Sequence, residues 1–297
     1  MFAMVAQSRA AFVGLALLVG LLVGSFLNVV IHRLPLMLNR QWRQQCTELD
    51  PAGVENTSPE PAFNLLTPGS HCPSCKASIS AMQNIPLISW LALRGRCAEC
   101  RSRISVRYPV IELLTGLMSA AVAWKFGYNW QAGAALLITW FLVALAGIDM
   151  DHQLLPDSLT LPLLWAGLIA SLFWVPTELH PLPVSPENAI IGAAAGYLSL
   201  WTIFHLFRLA TGKDGMGYGD FKLLAVFGAW LGWRMLLPIV LCSAAVGAVV
   251  GVMLILSGNR ERSVPIPFGP FLASAGWLAI MWGPEWITRY LGLFGQA

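Results

Sequence analysis

The chain has 297 residues, 57% of them hydrophobic and only 11% charged, with a mean hydropathy of +0.65. Such values lie far from those of a soluble domain and require an integral membrane protein. A net charge of +3 is too small to argue for a nucleic-acid partner.

Residues 10–31 form a largely apolar run of 22, long enough as a helix to cross a hydrocarbon core of about 30 Å. The run exceeds a secretory h-region and no small-residue cleavage site follows it. It therefore reads as an anchor helix filling an N-terminal segment, 1–32. Residues 33–107 are the one sizeable polar segment and hold nine of the 18 Lys and Arg residues. The stretch 41–70 is rich in Pro, Asn, Glu and Ser and reads as lacking regular structure. Beyond Tyr108-Pro109 the chain is almost wholly apolar, giving a polytopic membrane domain over 108–297. Spans are expected at 109–126, 132–148, 158–175, 188–208, 221–233, 236–257 and 268–288. With the first helix they make an all-α fold of about eight transmembrane helices, the sixth too short to cross unaided. Glycines four apart (Gly20/Gly24, Gly192/Gly196, Gly228/Gly232, Gly247/Gly251) allow close helix packing.

Basic residues in short loops mark the cytoplasmic side. By that rule the 33–107 segment is cytoplasmic, as are the loops at 149–157, 208–222 and 257–264. The 176–187 loop, with Glu178 and Glu187 and no Lys or Arg, lies outside. Two complete spans separate Asp149 from Asp220, so both acids face the cytoplasm.

Six cysteines occur, four of them as Cys72-Pro-Ser-Cys75 and Cys97-Ala-Glu-Cys100, with Cys46 and Cys242 alone. That usage suits a reduced compartment and metal binding better than a disulfide framework. The arms are separated by 21 residues and echo one another, Cys-Pro-Ser-Cys-Lys-Ala-Ser-Ile-Ser against Cys-Ala-Glu-Cys-Arg-Ser-Arg-Ile-Ser. Paired knuckles of this kind present four thiolates tetrahedrally to a structural zinc ion, a closed site without catalytic role. Lys76, Arg96 and Arg101 would offset the two net negative charges of such a site. A redox pair or unligated thiols are the other readings, but a redox pair needs only one Cys-x-x-Cys. His71 reads as a neighbour and not a ligand.

Two acidic stretches sit at the ends of apolar runs: Asp149-Met150-Asp151 with Asp157, and Gly215-Met216-Gly217-Tyr218-Gly219-Asp220. A carboxylate this close to hydrocarbon costs about 2.5–3.5 kcal/mol on insertion scales. One such loop reads equally as a solvated interfacial turn; two, one framed by glycines, point to a paired-carboxylate site. Two carboxyls sharing a proton can cleave a peptide bond, one as base towards water while the other polarises the carbonyl. No GxSxG or HExxH set competes. Three acids contend for the upstream role. Asp149 should lie deepest, Asp151 points elsewhere on a helix, and Asp157 after Leu155-Pro156 reads as an N-cap.

The pattern Gly147-Ile148-Asp149-Met150-Asp151 … Leu154-Leu155-Pro156-Asp157 … Gly217-Tyr218-Gly219-Asp220-Phe221-Lys222 resembles the type IV prepilin peptidases. The stretches Gly24-Ser25-Phe26-Leu27-Asn28 … His32-Arg33-Leu34-Pro35 and Arg107-Tyr108-Pro109-Val110-Ile111-Glu112 are similar to that family's N-terminal signatures, as is the tetracysteine segment. The resemblance implies a multi-pass bacterial inner-membrane aspartyl endopeptidase whose active site faces the cytoplasm. It would remove the basic leader of type IV prepilins or pseudopilins. It implies Asp149 and Asp220 as the catalytic pair, and N-methylation of the new terminus with S-adenosylmethionine. No dinucleotide-type glycine motif supports that second activity independently.

Two rivals come from other classes. An ion-coupled transporter would also carry paired intramembrane acids, but here both are interfacial and only His205 recurs mid-span. A zinc-module scaffold without catalysis leaves the glycine-framed acid unexplained.

Overall fold

The structure, a computed structural model, describes residues 8–49, 63–80, 82–174, 182–257 and 266–293. Among these residues helices are the regular elements, joined only by two isolated β-bridges, so the all-α architecture holds. The chain forms two compact units, Met1–Ala121 and Val122–Ala297.

In the first unit α1 (Arg9–Leu49) packs against α3 (Arg107–Phe126), with the short α2 (Ile88–Ala92) between them in sequence. Glycine makes the α1–α3 contact possible. A Cβ at Gly20 would stand 2.5 Å from the Ser119 hydroxyl, and one at Gly24 would stand 2.8 Å from the Glu112 Cα. Asn28 closes the seam one turn later, its Nδ2 donating to the Tyr108 carbonyl at 3.1 Å.

The first helix is longer than the apolar run 10–31 suggests. It continues through Pro35 to Leu49, so part of the stretch read as irregular is helical; residues 50–62 lie outside the described set. Proline costs one backbone bond there, but the Leu, Met, Arg and Gln residues that follow it are strong helix formers. Forty-one residues make a rod of about 60 Å, twice the hydrocarbon thickness, so the basic C-terminal half extends into water. Phe63 braces that half, with the Arg40 guanidinium 4.4 Å and the Arg33 guanidinium 5.8 Å from its ring centre. Arg33 also donates to the Asn64 carbonyl at 3.1 Å.

The second unit contains α4 (Trp130–His152), α5 (Asp157–Ser171), α6 (Pro186–Thr211), α7 (Tyr218–Leu231), α8 (Leu236–Leu256) and α9 (Gly269–Leu293). Each of the eight apolar stretches thus carries a helix among the described residues. Among the described residues five helices can cross a membrane by length and composition: α1, α3, α4, α6 and α8 with the single 3₁₀ turn before it. The sixth stretch, α7, has 14 residues and spans about 21 Å, short of a bilayer core. Eleven of its residues are buried, so beyond its first two residues α7 is enclosed by protein. It stops at Gly232, whose left-handed backbone (φ 77) no side chain adopts easily. The Gly192 and Gly228 backbones touch where α6 crosses α7; a Cβ on either would collide with the other's carbonyl. On the opposite side Trp230 donates to the Leu163 carbonyl of α5 at 2.9 Å. The enclosed helix carries Asp220 in its first turn.

Candidate active site

Asp149 lies in the last turn of α4 and Asp220 in the first turn of α7, and both side chains are buried. Their carboxyl groups are near enough for the Asp149 charge to act on Asp220. Among the described residues of the second unit they are the only buried charged side chains.

Each acid is held by a helix end. Helix α4 stops because Gln153 turns left-handed (φ 52) and returns its N–H to the Asp149 carbonyl at 2.9 Å. The Asp149 side chain then meets α9: its Oδ2 accepts the Gly269 N–H at 3.0 Å. Gly269 is the first residue of α9, where backbone N–H groups lack partners within the helix and the dipole favours an anion. A Cβ at position 269 would stand 2.5 Å from that same oxygen, so only glycine allows the approach. Asp220 is the third residue of α7, behind Gly217 as N-cap. The Gly217 backbone amide faces the Asp220 carboxylate while its carbonyl accepts the Asp220 N–H at 3.2 Å. An acid at the third position reaching back to the cap is the acidic half of a capping box, and it fixes the direction of the carboxylate.

Leu155 joins the two ends. Its Cβ would lie 2.6 Å from a Cβ at Gly219, and its Cδ1 3.3 Å from one at Gly269. Beside it, Lys222 of α7 donates to Asp157 Oδ1 of α5 at 2.6 Å. Phe204 of α6 packs on Tyr218 and Phe221 at 5.3 and 5.7 Å between ring centres, steadying the first turn of α7.

Of the acids weighed in the sequence, Asp149 and Asp220 are thus brought together and Asp151 is exposed. Asp157 is not the N-cap of α5. Pro156 takes that place with extended backbone, and the Asp157 side chain pairs with Lys222 instead. Gly269 and Leu155 were not foreseen as parts of the site. The available signal was Pro267-Phe268-Gly269-Pro270, a tight helix start whose glycine invites close approach.

In the first unit Cys72, Cys75, Cys97 and Cys100 converge, their sulfurs all within 4.8 Å of one another. Zinc–sulfur bonds of about 2.3 Å in a tetrahedron set neighbouring sulfurs about 3.8 Å apart. Cys72 and Cys100 stand at 3.8 Å, Cys75 and Cys97 at 4.0 Å, so the cluster can hold a metal ion. The echoed sequence is an echoed fold. Lys76 N–H bonds the Cys72 carbonyl at 2.9 Å and Cys72 N–H the Ala77 carbonyl at 2.9 Å. Arg101 and Cys97 repeat the pattern with Cys97 and Ser102, at 3.1 and 2.9 Å. Lys76 and Arg101 both adopt left-handed backbone, φ 61 and 58, to make the knuckle turn. The Cys75 amide and the Ser102 hydroxyl pull the Cys72 thiol down to about 6. The Ser102 hydroxyl and amide lower Cys100 as well. Cys75 goes up to about 11: the Ala77 amide draws it down, but desolvation and the neighbouring thiols outweigh that. Four crowded sulfurs resist shedding every proton together unless a cation compensates them. His71 bonds the Gly69 carbonyl at 3.0 Å and stands outside the cluster.

Two family models match the chain: a bacterial peptidase A24 N-terminal domain over residues 18–126, and the type IV leader peptidase family over residues 136–252. Relatives in several bacteria carry the name prepilin leader peptidase/N-methyltransferase. The Stutzerimonas stutzeri protein is 55% identical over 96% of this chain and 96% of its own length. The Pseudomonas aeruginosa protein is 53% identical over 96% and 95%, and the Aeromonas hydrophila protein 54% over 93% and 92%. The chain belongs to the type IV leader peptidase family. No solved structure matches it. The leader-peptidase block contains both buried acids, and the N-terminal block contains the four cysteines. Gly269, which holds Asp149, lies beyond the matched leader-peptidase residues.

Proposed function

We propose that the chain is a membrane aspartyl endopeptidase that cuts the leader from type IV prepilin and pseudopilin precursors, with Asp149 and Asp220 as its catalytic pair. The observation that carries the reading is the burial of two carboxyl groups, one within reach of the other's charge, at the ends of two apolar helices, each oriented by a backbone amide. One carboxylate takes a proton from a water as the water attacks the scissile carbonyl. The protonated partner gives its proton to the carbonyl oxygen, forming a gem-diol. Collapse of the diol breaks the C–N bond and sends a proton to the leaving amine. The pair again holds one proton, and no covalent intermediate forms.

The site belongs at the cytoplasmic face of a bacterial inner membrane. The Lys and Arg bias of the loops supports that side, and a precursor with a basic leader ahead of an apolar helix exposes its cleavage point at that depth. The cysteine cluster is read as a structural zinc site. Its sulfur spacing fits zinc, and four protein thiolates leave no position open for substrate. Methylation of the new N-terminus with S-adenosylmethionine follows from the names of the relatives, and no residue of this chain is assigned to it. The transporter reading gains nothing from the structure. His205 packs against Trp201 with tilted rings, 4.2 Å between centres, and no further buried charge continues a relay among the described residues of this unit.

The test is incubation of purified protein in lipid with a full-length precursor, followed by mass analysis. One cut at the leader boundary is expected, with a methyl group added only when S-adenosylmethionine is supplied. A precursor left intact by folded protein contradicts the peptidase reading.

A further inference from the structure

The polar segment of the first unit carries an apolar ridge that its own fold leaves uncovered. Ile85, Ile88 and Leu91 recur every third residue along α2 and its entry, and are 42%, 65% and 66% exposed. The other side of α2 is committed inward. Trp90 is half-buried, packs on Gly95 and donates to the Ile104 carbonyl at 3.4 Å, while Pro86 is buried. None of the five residues of α2 is buried, so the unit itself leaves this face open.

Where the ridge lies is fixed by one bond. The Leu87 N–H donates to Glu112 Oε2 at 2.9 Å, and Glu112 is itself buried. Leu87 takes a left-handed backbone, φ 58, in making it, a conformation a leucine adopts only under constraint. Glu112 is the sixth residue of α3, about 7.5 Å along a helix whose 20 residues just match a hydrocarbon core. The α2 entry is therefore tied at the depth where interfacial helices lie, about 5–10 Å into the boundary between headgroups and acyl chains. The exposed face of α3 is apolar too, with Val110, Leu113 and Leu117 53%, 44% and 55% exposed. The sequence after the ridge is one-sided in charge: over 94–107, Arg94, Arg96, Arg101, Arg103 and Arg107 stand against Glu99 alone.

We propose that Ile85, Ile88 and Leu91 dock the cysteine-bearing segment onto the bilayer surface itself, with the arginines of 94–107 on anionic headgroups. The occupant is lipid because the ridge is tied to a membrane-length helix whose own exposed face is apolar, and the sequence that follows it carries the charge that anionic headgroups attract. The effect is to hold the metal knuckles flat against the membrane beside the first span.

The experiment uses the full-length protein in nanodiscs of phosphatidylethanolamine and phosphatidylglycerol. Benzoyl-phenylalanine replaces one residue at a time at Ile88, Leu91, Leu117 as lipid-facing control and the exposed Glu99 as aqueous control. Metal content confirms that each variant keeps the folded module. After irradiation, intact mass should show lipid adducts at 88 and 91 at no less than half the yield at 117, with none at 99. Replacing phosphatidylglycerol by phosphatidylcholine should lower the yield at 88 and 91 at least twofold and leave 117 unchanged. Yields at 88 and 91 equal to that at 99 would overturn the proposal. So would adducts to added prepilin precursor in place of lipid, which would make the ridge a substrate surface.

Discussion

Replacing Gly269 by alanine isolates the contact that holds Asp149. The glycine's backbone is not left-handed, so alanine is tolerated by the chain and the effect is steric. The new Cβ would stand 2.5 Å from Asp149 Oδ2 and 3.0 Å from its Cγ, whereas ordinary contact begins at 3.4 Å. Either the carboxylate or the start of α9 must retreat by close to 1 Å, and the 3.0 Å bond from the Gly269 amide is lost. A hydrogen bond to a charged group contributes about 1.5–3 kcal/mol, and each 1.4 kcal/mol is about tenfold in rate. A misplacement of about 1 Å in a reacting group costs a similar factor, about 100-fold. Gly269→Ala should therefore lower kcat for leader cleavage by about 10- to 100-fold with little change in KM. Gly133→Ala on the open side of α4, where a Cβ meets nothing within 4 Å, serves as the control. The assay is single-turnover cleavage of a precursor by protein reconstituted in lipid. Cleavage by Gly269→Ala within twofold of wild type would refute the claim that this amide positions Asp149.

Gly219→Ala should impair cleavage through Leu155, since the two Cβ atoms would stand 2.6 Å apart; Leu155→Ala added to it should restore part of the rate, a coupling read from a double-mutant cycle. Purified protein should carry one zinc per chain, and Cys72→Ser or Cys97→Ser should each release it and loosen the segment around the knuckles, seen by metal analysis and limited proteolysis. Stoichiometric zinc after removal of all four cysteines contradicts that assignment. A reporter fused near Gly95 should report cytoplasm and one near Leu182 the outside; the same side for both would break the orientation drawn from the basic loops.

The sequence made the apolar stretches, the thiol pairs and the two acids legible because each is local. A span is a run of apolar residues and a knuckle is a short spacing. An acid among hydrocarbon is conspicuous by its cost. What escaped depends on partners distant in the chain. The Gly269 amide meets Asp149 across 120 positions, and no pattern at either end names the other. Asp157 looked like a cap because it follows Pro156, but Lys222 from another helix claims its carboxylate. The length of α1 was hidden by Pro35, a usual stop signal that strong helix formers on the following turns overrode. Helix α7 was recognised as too short to cross; that protein encloses it beyond its first two residues is a property of the tertiary packing around it.

The central claim is that Asp149 and Asp220 work as one unit, and single-residue removal tests it most directly. Asp149→Asn, Asp220→Asn, the double variant and Asp151→Asn are compared for precursor cleavage, with membrane insertion and zinc content as folding readouts. The account predicts that each single variant of the pair abolishes cleavage and that the double variant is no worse than either. Asp151, exposed and turned about 200° from Asp149 on the helix, should tolerate Asn with substantial activity retained. Wild-type cleavage by both Asp149→Asn and Asp220→Asn would contradict the aspartyl mechanism. Loss of cleavage in Asp151→Asn alone would move the upstream acid by two residues.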